Sequence, residues 1–241
     1  MGIAEKFEVI ADEVYEKGKE KEHNDFWDSF LARLGSADAS NMFSGIGWND
    51  NTFYPNRNIN TGKTAVNGMF SRSCITNLEE RFNSLGITLN TSRATKMDSM
   101  FYYCNQTEVI PVIDMSGVVE TSSLTQMFYN CSKLQTIRKL IFPENMTASK
   151  CYNQMFSGCT SLANIEVEGN IVQTISFSSS PLTVESMKSI ISCLKDYSQS
   201  DDPDDTLTFN DDCWRRLEAS GSAPDGDTWE NYVIKRGWLI G

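Results

Sequence analysis

Apolar residues return along this chain at fixed offsets. Met127, Phe128, Cys131, Leu134 and Ile137 are matched one for one by Met155, Phe156, Cys159, Leu162 and Ile165, with mostly polar residues between them. Looser copies start at Met100-Phe101, with Cys104, and at Met69-Phe70, with Cys74. A degenerate copy without cysteine starts at Met42-Phe43. The starts are 27, 31, 27 and 28 residues apart. A period of this size predicts a solenoid, because a unit so short cannot bury its apolar face without its neighbours.

Within each repeat a short run alternates apolar and polar residues, which is the pattern of a strand covered on one face. These runs are Ile87-Thr88-Leu89, Ile113-Asp114-Met115, Ile137-Arg138-Lys139, Ile165-Glu166-Val167 and Ile175-Ser176-Phe177. Stacking sets each beside its equivalents in one parallel sheet, with Met, Phe, Cys and Leu as internal ladders and Tyr129 facing outward. The middle strand residues, Thr88, Asp114, Arg138, Glu166 and Ser176, then form an outward row and the candidate binding surface. In this register Cys74 stands one residue late, and the Cys104 repeat carries extra residues before Ile113.

The flanks follow other periods. Ile3, Phe7, Ile10 and Val14 make one helical stripe, and a second apolar patch, Phe26 to Leu34, stops at Gly35. That segment reads either as a cap over the open end of the stack or as a homo-oligomerisation helix. After Ser180, Pro181 and Thr183 open a helix whose apolar face is Val184, Met187, Ile190, Ile191 and Leu194. A strand at Thr206–Phe209, helical segments through Trp214–Leu217 and Trp229–Lys235, and Gly237–Ile240 complete a terminal capping module. The expected division is 1–41 for the N-terminal helical segment, 42–180 for the repeats and 181–241 for the cap.

Charge and reactive residues narrow the function classes. The formal net charge is −11, and no basic stripe offers itself to a polyanion, so nucleic acid is not an expected partner. No apolar run approaches the ~20 residues of a membrane span, and no membrane insertion is expected. The opening Met1–Lys6 lacks the basic and apolar regions of a secretory leader.

His23 is the single histidine, and no nucleophile motif accompanies it. The seven cysteines contain no Cys-x-x-Cys pair, and those at repeat positions lie among Met, Phe and Leu, as inert buried thiols do. Asp201-Asp202-Pro203-Asp204-Asp205, with Asp211 and Asp212, offers carboxylates for calcium but lacks the Gly and Glu of an EF-hand loop. Gly62-Lys63-Thr64 lacks the first glycine of a phosphate loop, since Arg57 stands at that place. No catalytic residue, cofactor or metal is expected.

The Met-Phe-x-x-Cys-x-x-Leu-x-x-Ile unit, with Ile113-Asp114-Met115-Ser116 and Glu120-Thr121-Ser122-Ser123-Leu124 ahead of the next Met-Phe, resembles the BspA-like leucine-rich repeats. These occur in surface proteins of gut and oral bacteria, mycoplasmas and some phages. The resemblance covers residues 42 to 180. It implies an α/β fold, a leucine-rich-repeat solenoid with a parallel sheet, between an N-terminal helix and a C-terminal α/β cap. It also implies non-enzymatic adhesion or recognition of a protein or host-surface ligand, at a cell surface. The alternative is a structural or host-recognition component of a phage virion, assembled through Ile3, Phe7, Ile10 and Val14.

Overall fold

The computed structural model describes residues 44, 59–60, 65–86, 88–118, 124–144, 146, 151–199 and 204–241. The expectations for Ile3, Phe7, Ile10, Val14, His23, Gly62–Thr64 and Asp201–Pro203 lie outside the described residues. The elements are β1 (Ile59–Asn60), α1 (Leu78–Leu85), β2 (Leu89–Asn90), β3 (Val109–Asp114), β4 (Thr136–Ile141), β5 (Asn164–Glu168), β6 (Ile175–Phe177), α2 (Val184–Ser192), β7 (Thr206–Phe209), α3 (Asp211–Ala219), α4 (Trp229–Lys235) and β8 (Leu239–Ile240). Among the described residues the fold is mixed α/β with three small sheets, β1-β2, β3-β4-β5 and β6-β7-β8, and every strand pair is parallel. Among the described residues no helix is long and apolar enough to cross a membrane.

The repeats stack as two columns. In one, the Met-Phe turns bond rung to rung through the backbone: the amides of Phe70, Phe101 and Phe128 donate to the carbonyls of Met100, Met127 and Met155 at 2.8, 2.8 and 2.9 Å. Directly inside, the rings of Phe70, Phe101, Phe128 and Phe156 stack in sequence with centroids 5.4 Å apart. Each thiol on the rung spans to the rung before, Cys104 donating to the Phe70 carbonyl at 2.9 Å and Cys131 and Cys159 to those of Phe101 and Phe128 at 3.0 Å. Burial pushes the Cys159 thiol up to about 12, so at neutral pH it keeps its proton and donates. The ladders are therefore both packed and hydrogen-bonded.

The other column is the β3-β4-β5 sheet, and here the register differs from expectation. Ile110, not Ile113, pairs with Ile137, which in turn pairs with Ile165. The Cys104 repeat thus has the same six-residue step from cysteine to isoleucine as its neighbours. Buried Thr107 takes the leucine place and donates to the Ile75 carbonyl at 2.7 Å. In the Met69 repeat Ser73 takes the cysteine place: its amide donates to Phe70 as that of Cys104 does to Phe101, and its hydroxyl lies 3.6 Å from the Cys104 sulfur. Cys74 falls outside the ladder.

β3 and β4 bury residues three apart, Ile110 and Ile113 or Ile137 and Leu140, while β5 buries Ile165 and Val167, two apart. The mismatch is absorbed by a bulge in which Arg138 and Lys139 on β4 face the one residue Glu166 on β5. Pro111 lies on β3, an end strand of this sheet, where its missing N–H breaks no ladder.

At the C-terminal end the columns change element type. Phe177 on β6 stacks on Phe156 at 4.5 Å, and Phe209 on β7 follows at 6.0 Å. The β6-β7-β8 sheet therefore continues the column of Met-Phe turns, while α2 takes the place beside β5, with its Ser186 and Ser189 hydroxyls accepting the Ile165 and Val167 amides at 2.9 Å each. This overturns the placement of Ile175-Ser176-Phe177 in the same sheet as Ile165-Glu166-Val167. The helices begin where cap residues stop the chain from extending: Asn77, Thr183, Asn210 and Thr228 each accept the amide three residues on.

Candidate functional site

The expected outward row does not form as one line. Arg138 and Glu166 are exposed neighbours across the bulge. Asp114, however, ends β3 opposite Ile141, because the position facing Arg138 is Pro111. The Asp114 carboxylate accepts the Ser116 amide at 2.9 Å and so closes a turn. Thr88 is exposed just before β2, whose partner is β1. Ser176 belongs to the β6-β7-β8 sheet, where its hydroxyl meets that of Ser178 at 3.2 Å.

What charge this sheet face carries is paired within the chain. Arg138 reaches Glu79 on α1 at 2.7 Å, and Lys139 lies 2.6 Å from Glu166 and 3.2 Å from Glu168. The carboxylates of Glu166 and Glu168 hold the Lys139 ammonium above its ordinary range. A charged ligand would have to displace these partners, and such exposed pairs exchange with water and salt at small free-energy difference. Two of the described aspartates in and after the acidic loop are also held within the chain: Asp205 accepts from the Thr174 amide at 2.7 Å, and Asp212 on α3 pairs with Arg215 and Arg216. Among the described residues no three His, Cys, Asp or Glu side chains converge on a metal position.

The outside of the Met-Phe column is different. Two residues after each methionine stand Ser71, Tyr102, Tyr129 and Ser157, and three after stand Arg72, Tyr103, Asn130 and Gly158. Tyr102 and Tyr129 stack with centroids 5.3 Å apart, and Tyr103 tilts against both, at 4.7 and 5.7 Å. Tyr103 is the exposed member, with 39% of its surface free. None of the three hydroxyls has a hydrogen-bond partner among the described residues. On the adjoining side of the rungs the Gln126 amide donates to the Gln154 side-chain carbonyl at 2.7 Å.

The backbone beneath these side chains is left-handed. Residues immediately before each methionine (Gly68, Ser99, Gln126, Gln154) and three after it (Arg72, Tyr103, Asn130, Gly158) all have φ between 53° and 78°. The rung-to-rung bonds require this reversal, and glycine supplies it at two of the eight positions. Elsewhere a side chain is held in a conformation that costs on the order of 1–2 kcal/mol. Tyr103, bulky and at φ 58°, is the plainest departure. The sequence marks this cluster only as Tyr-Tyr in one repeat and Tyr in the next, at positions between Phe and Cys. Its outward direction is legible there, but not the meeting of the three rings.

No family model matches the chain, and neither does any curated protein or solved structure.

Proposed function

We propose that this chain is a non-catalytic recognition module, built as a leucine-rich-repeat solenoid of the kind its Met-Phe-x-x-Cys motif resembles, and that it engages a surface ligand through the outside of the Met-Phe turns. The observation that carries this reading is Tyr103, an exposed aromatic ring in a strained backbone position beside Tyr102 and Tyr129. Glycine fits the same position in the Gly158 repeat, so the tyrosine is not what the turn itself demands. Strain kept at an exposed aromatic group is characteristic of binding positions, and tyrosine offers large contact area at small entropic cost.

The reading is tested with fluorescently labelled chain on fixed epithelial and bacterial cells, counted by flow cytometry. Wild-type chain is expected to decorate at least one cell type and Tyr103→Ser to lose most of the signal. Equal staining by the two proteins, or no staining by either, would refute it.

A further inference from the structure

The chemistry of the turn face is specific enough to name a ligand class, given the reading above that this face is the binding surface. Three positions recur on each of four rungs, the residue before methionine and the second and third after it; Gly68 and Ser71 are buried, and the other ten are half-buried or exposed. Of these twelve, Arg72 is the one charged side chain, in a chain of net charge −11. The others are tyrosine, glutamine, asparagine, serine and glycine. A polyanion finds no cation cluster here, and a basic partner finds no carboxylate among these positions. What remains is aromatic surface beside neutral hydroxyl and amide groups.

We propose that this face binds a neutral polysaccharide. Sugar rings present apolar C–H faces that pack on aromatic rings, and hydroxyl pairs that exchange hydrogen bonds with amides and phenols. Both halves are present. The tyrosine hydroxyls make no hydrogen bond among the described residues. The bond between Gln126 and Gln154 leaves the Gln154 amide nitrogen and the Gln126 carbonyl oxygen without described partners. The rungs repeat at 5.3 Å for the Tyr102–Tyr129 pair and 5.4 Å for the phenylalanines beneath. That spacing is close to the length of one pyranose in an extended chain, so successive sugars meet successive rungs. Tyr103, tilted across both neighbours, anchors the contact.

The test is native gel electrophoresis of the full chain through gels containing hydroxyethylcellulose, arabinoxylan, galactomannan or dextran, alongside Tyr103→Gly. Glycine relieves the left-handed backbone, so this variant is expected to melt at least as high as wild type while losing retardation. One of these polysaccharides is expected to slow the wild-type chain severalfold and leave the variant unslowed. Wild-type mobility unchanged in all four gels, or equal retardation of both proteins, would overturn the proposal. A loss of melting temperature in Tyr103→Gly would make Tyr103 a packing residue and overturn it too.

The same labelled chain on periodate-treated and protease-treated cells separates this from the broader reading. Staining abolished by periodate, which cleaves vicinal diols, supports a glycan. Staining that depends on Tyr103, resists periodate and is lost to protease rejects the glycan while leaving recognition standing. Staining independent of Tyr103 rejects the recognition reading itself.

Discussion

The Ser186 hydroxyl accepts the Ile165 amide at 2.9 Å and donates to the Ala163 carbonyl at 3.1 Å. One side chain of α2 thereby satisfies backbone groups on the edge of β5 that a further strand would otherwise take. Ser189, one helical turn on, does the same at Val167, accepting its amide at 2.9 Å and meeting its carbonyl at 3.4 Å. Cys193 adds a thiol to the Val167 carbonyl at 3.2 Å. Positions 186, 189 and 193 lie on one face of the helix. An open parallel edge invites pairing with another chain, and covering it with a helix is one of the ways folds prevent that.

Ser186 is buried, so its loss would leave the Ile165 amide without partner or water. Ser186→Ala is expected to cost about 1–3 kcal/mol, the penalty for an orphaned buried donor. Ser192→Ala, on the exposed side of the same helix, is expected to change stability by less than about 0.5 kcal/mol. Urea midpoints of the two variants check this, and equal midpoints would mean that the hydroxyl at 186 does not close the edge.

Two glycines with left-handed backbone separate conformational strain from steric demand. Gly86 caps α1 at φ 65°, and a β-carbon there would meet nothing within 4 Å. Gly169 follows β5 at φ 86°, and a β-carbon there would collide with the Phe142 carbonyl oxygen. Gly86→Ala is expected to lose about 1 kcal/mol from backbone strain alone. Gly169→Ala must also move a neighbouring rung and is expected to lose more than about 2 kcal/mol. Thermal melts of both variants decide it, and a smaller loss at Gly169 would mean that β4 and β5 are not held at this separation.

Much of this architecture was legible because apolar spacing reports burial directly. Met127, Phe128, Cys131 and Ile137 are all fully or almost fully buried, and the helix opened by Thr183 stands where its cap residue places it. The register of the Cys104 repeat was not, because two isoleucines, Ile110 and Ile113, are both buried and Thr107 hides the leucine position. Choosing Ile113 moved Asp114 into a row that Pro111 occupies. The exchange of columns at β6 was hidden for another reason. The alternation of Ile175, Ser176 and Phe177 specifies a half-covered strand but not which neighbour it joins, and that is set by Phe177 stacking on Phe156. Nor does any local pattern show that Tyr102, Tyr103 and Tyr129 meet, since their contact arises between rungs.

Phe128 sits between the rings of Phe101 and Phe156 with none of its surface exposed. Phe128→Ala is expected to cost about 3–5 kcal/mol, and more than Tyr129→Ala, because the cavity opens inside the stack while Tyr129 is half-buried on its outside. Cys131→Ser retains the donor to the Phe101 carbonyl and is expected to cost less than Cys131→Val, which removes it. Ser73 and Ser180 already hold the same place beside Cys104 and Cys159. Chemical denaturation of the four variants gives the order, and a valine variant as stable as serine would show that the thiol serves packing only.

Around α4, Lys235 lies 2.9 Å from Asp225 and 2.8 Å from Asp227. The ammonium, and then the Asn231 side chain and Thr228 amide, hold the Asp227 carboxyl below its ordinary range; Asp225 is lowered first by Lys235 as well. The same contacts raise Lys235. A depressed carboxyl stabilises the fold above its unfolded value, about 3.9, and that contribution is lost as pH falls further through the folded value. A raised ammonium stabilises below its unfolded value, about 10.4, and the contribution is lost as pH rises through the folded one. Lys235→Gln is therefore expected to lower the urea midpoint by an amount constant between about pH 5 and pH 9. The gap should narrow toward both extremes and shrink in high salt, since all three groups are exposed to solvent. A gap independent of pH would assign the effect of Lys235 to its aliphatic stem rather than its charge.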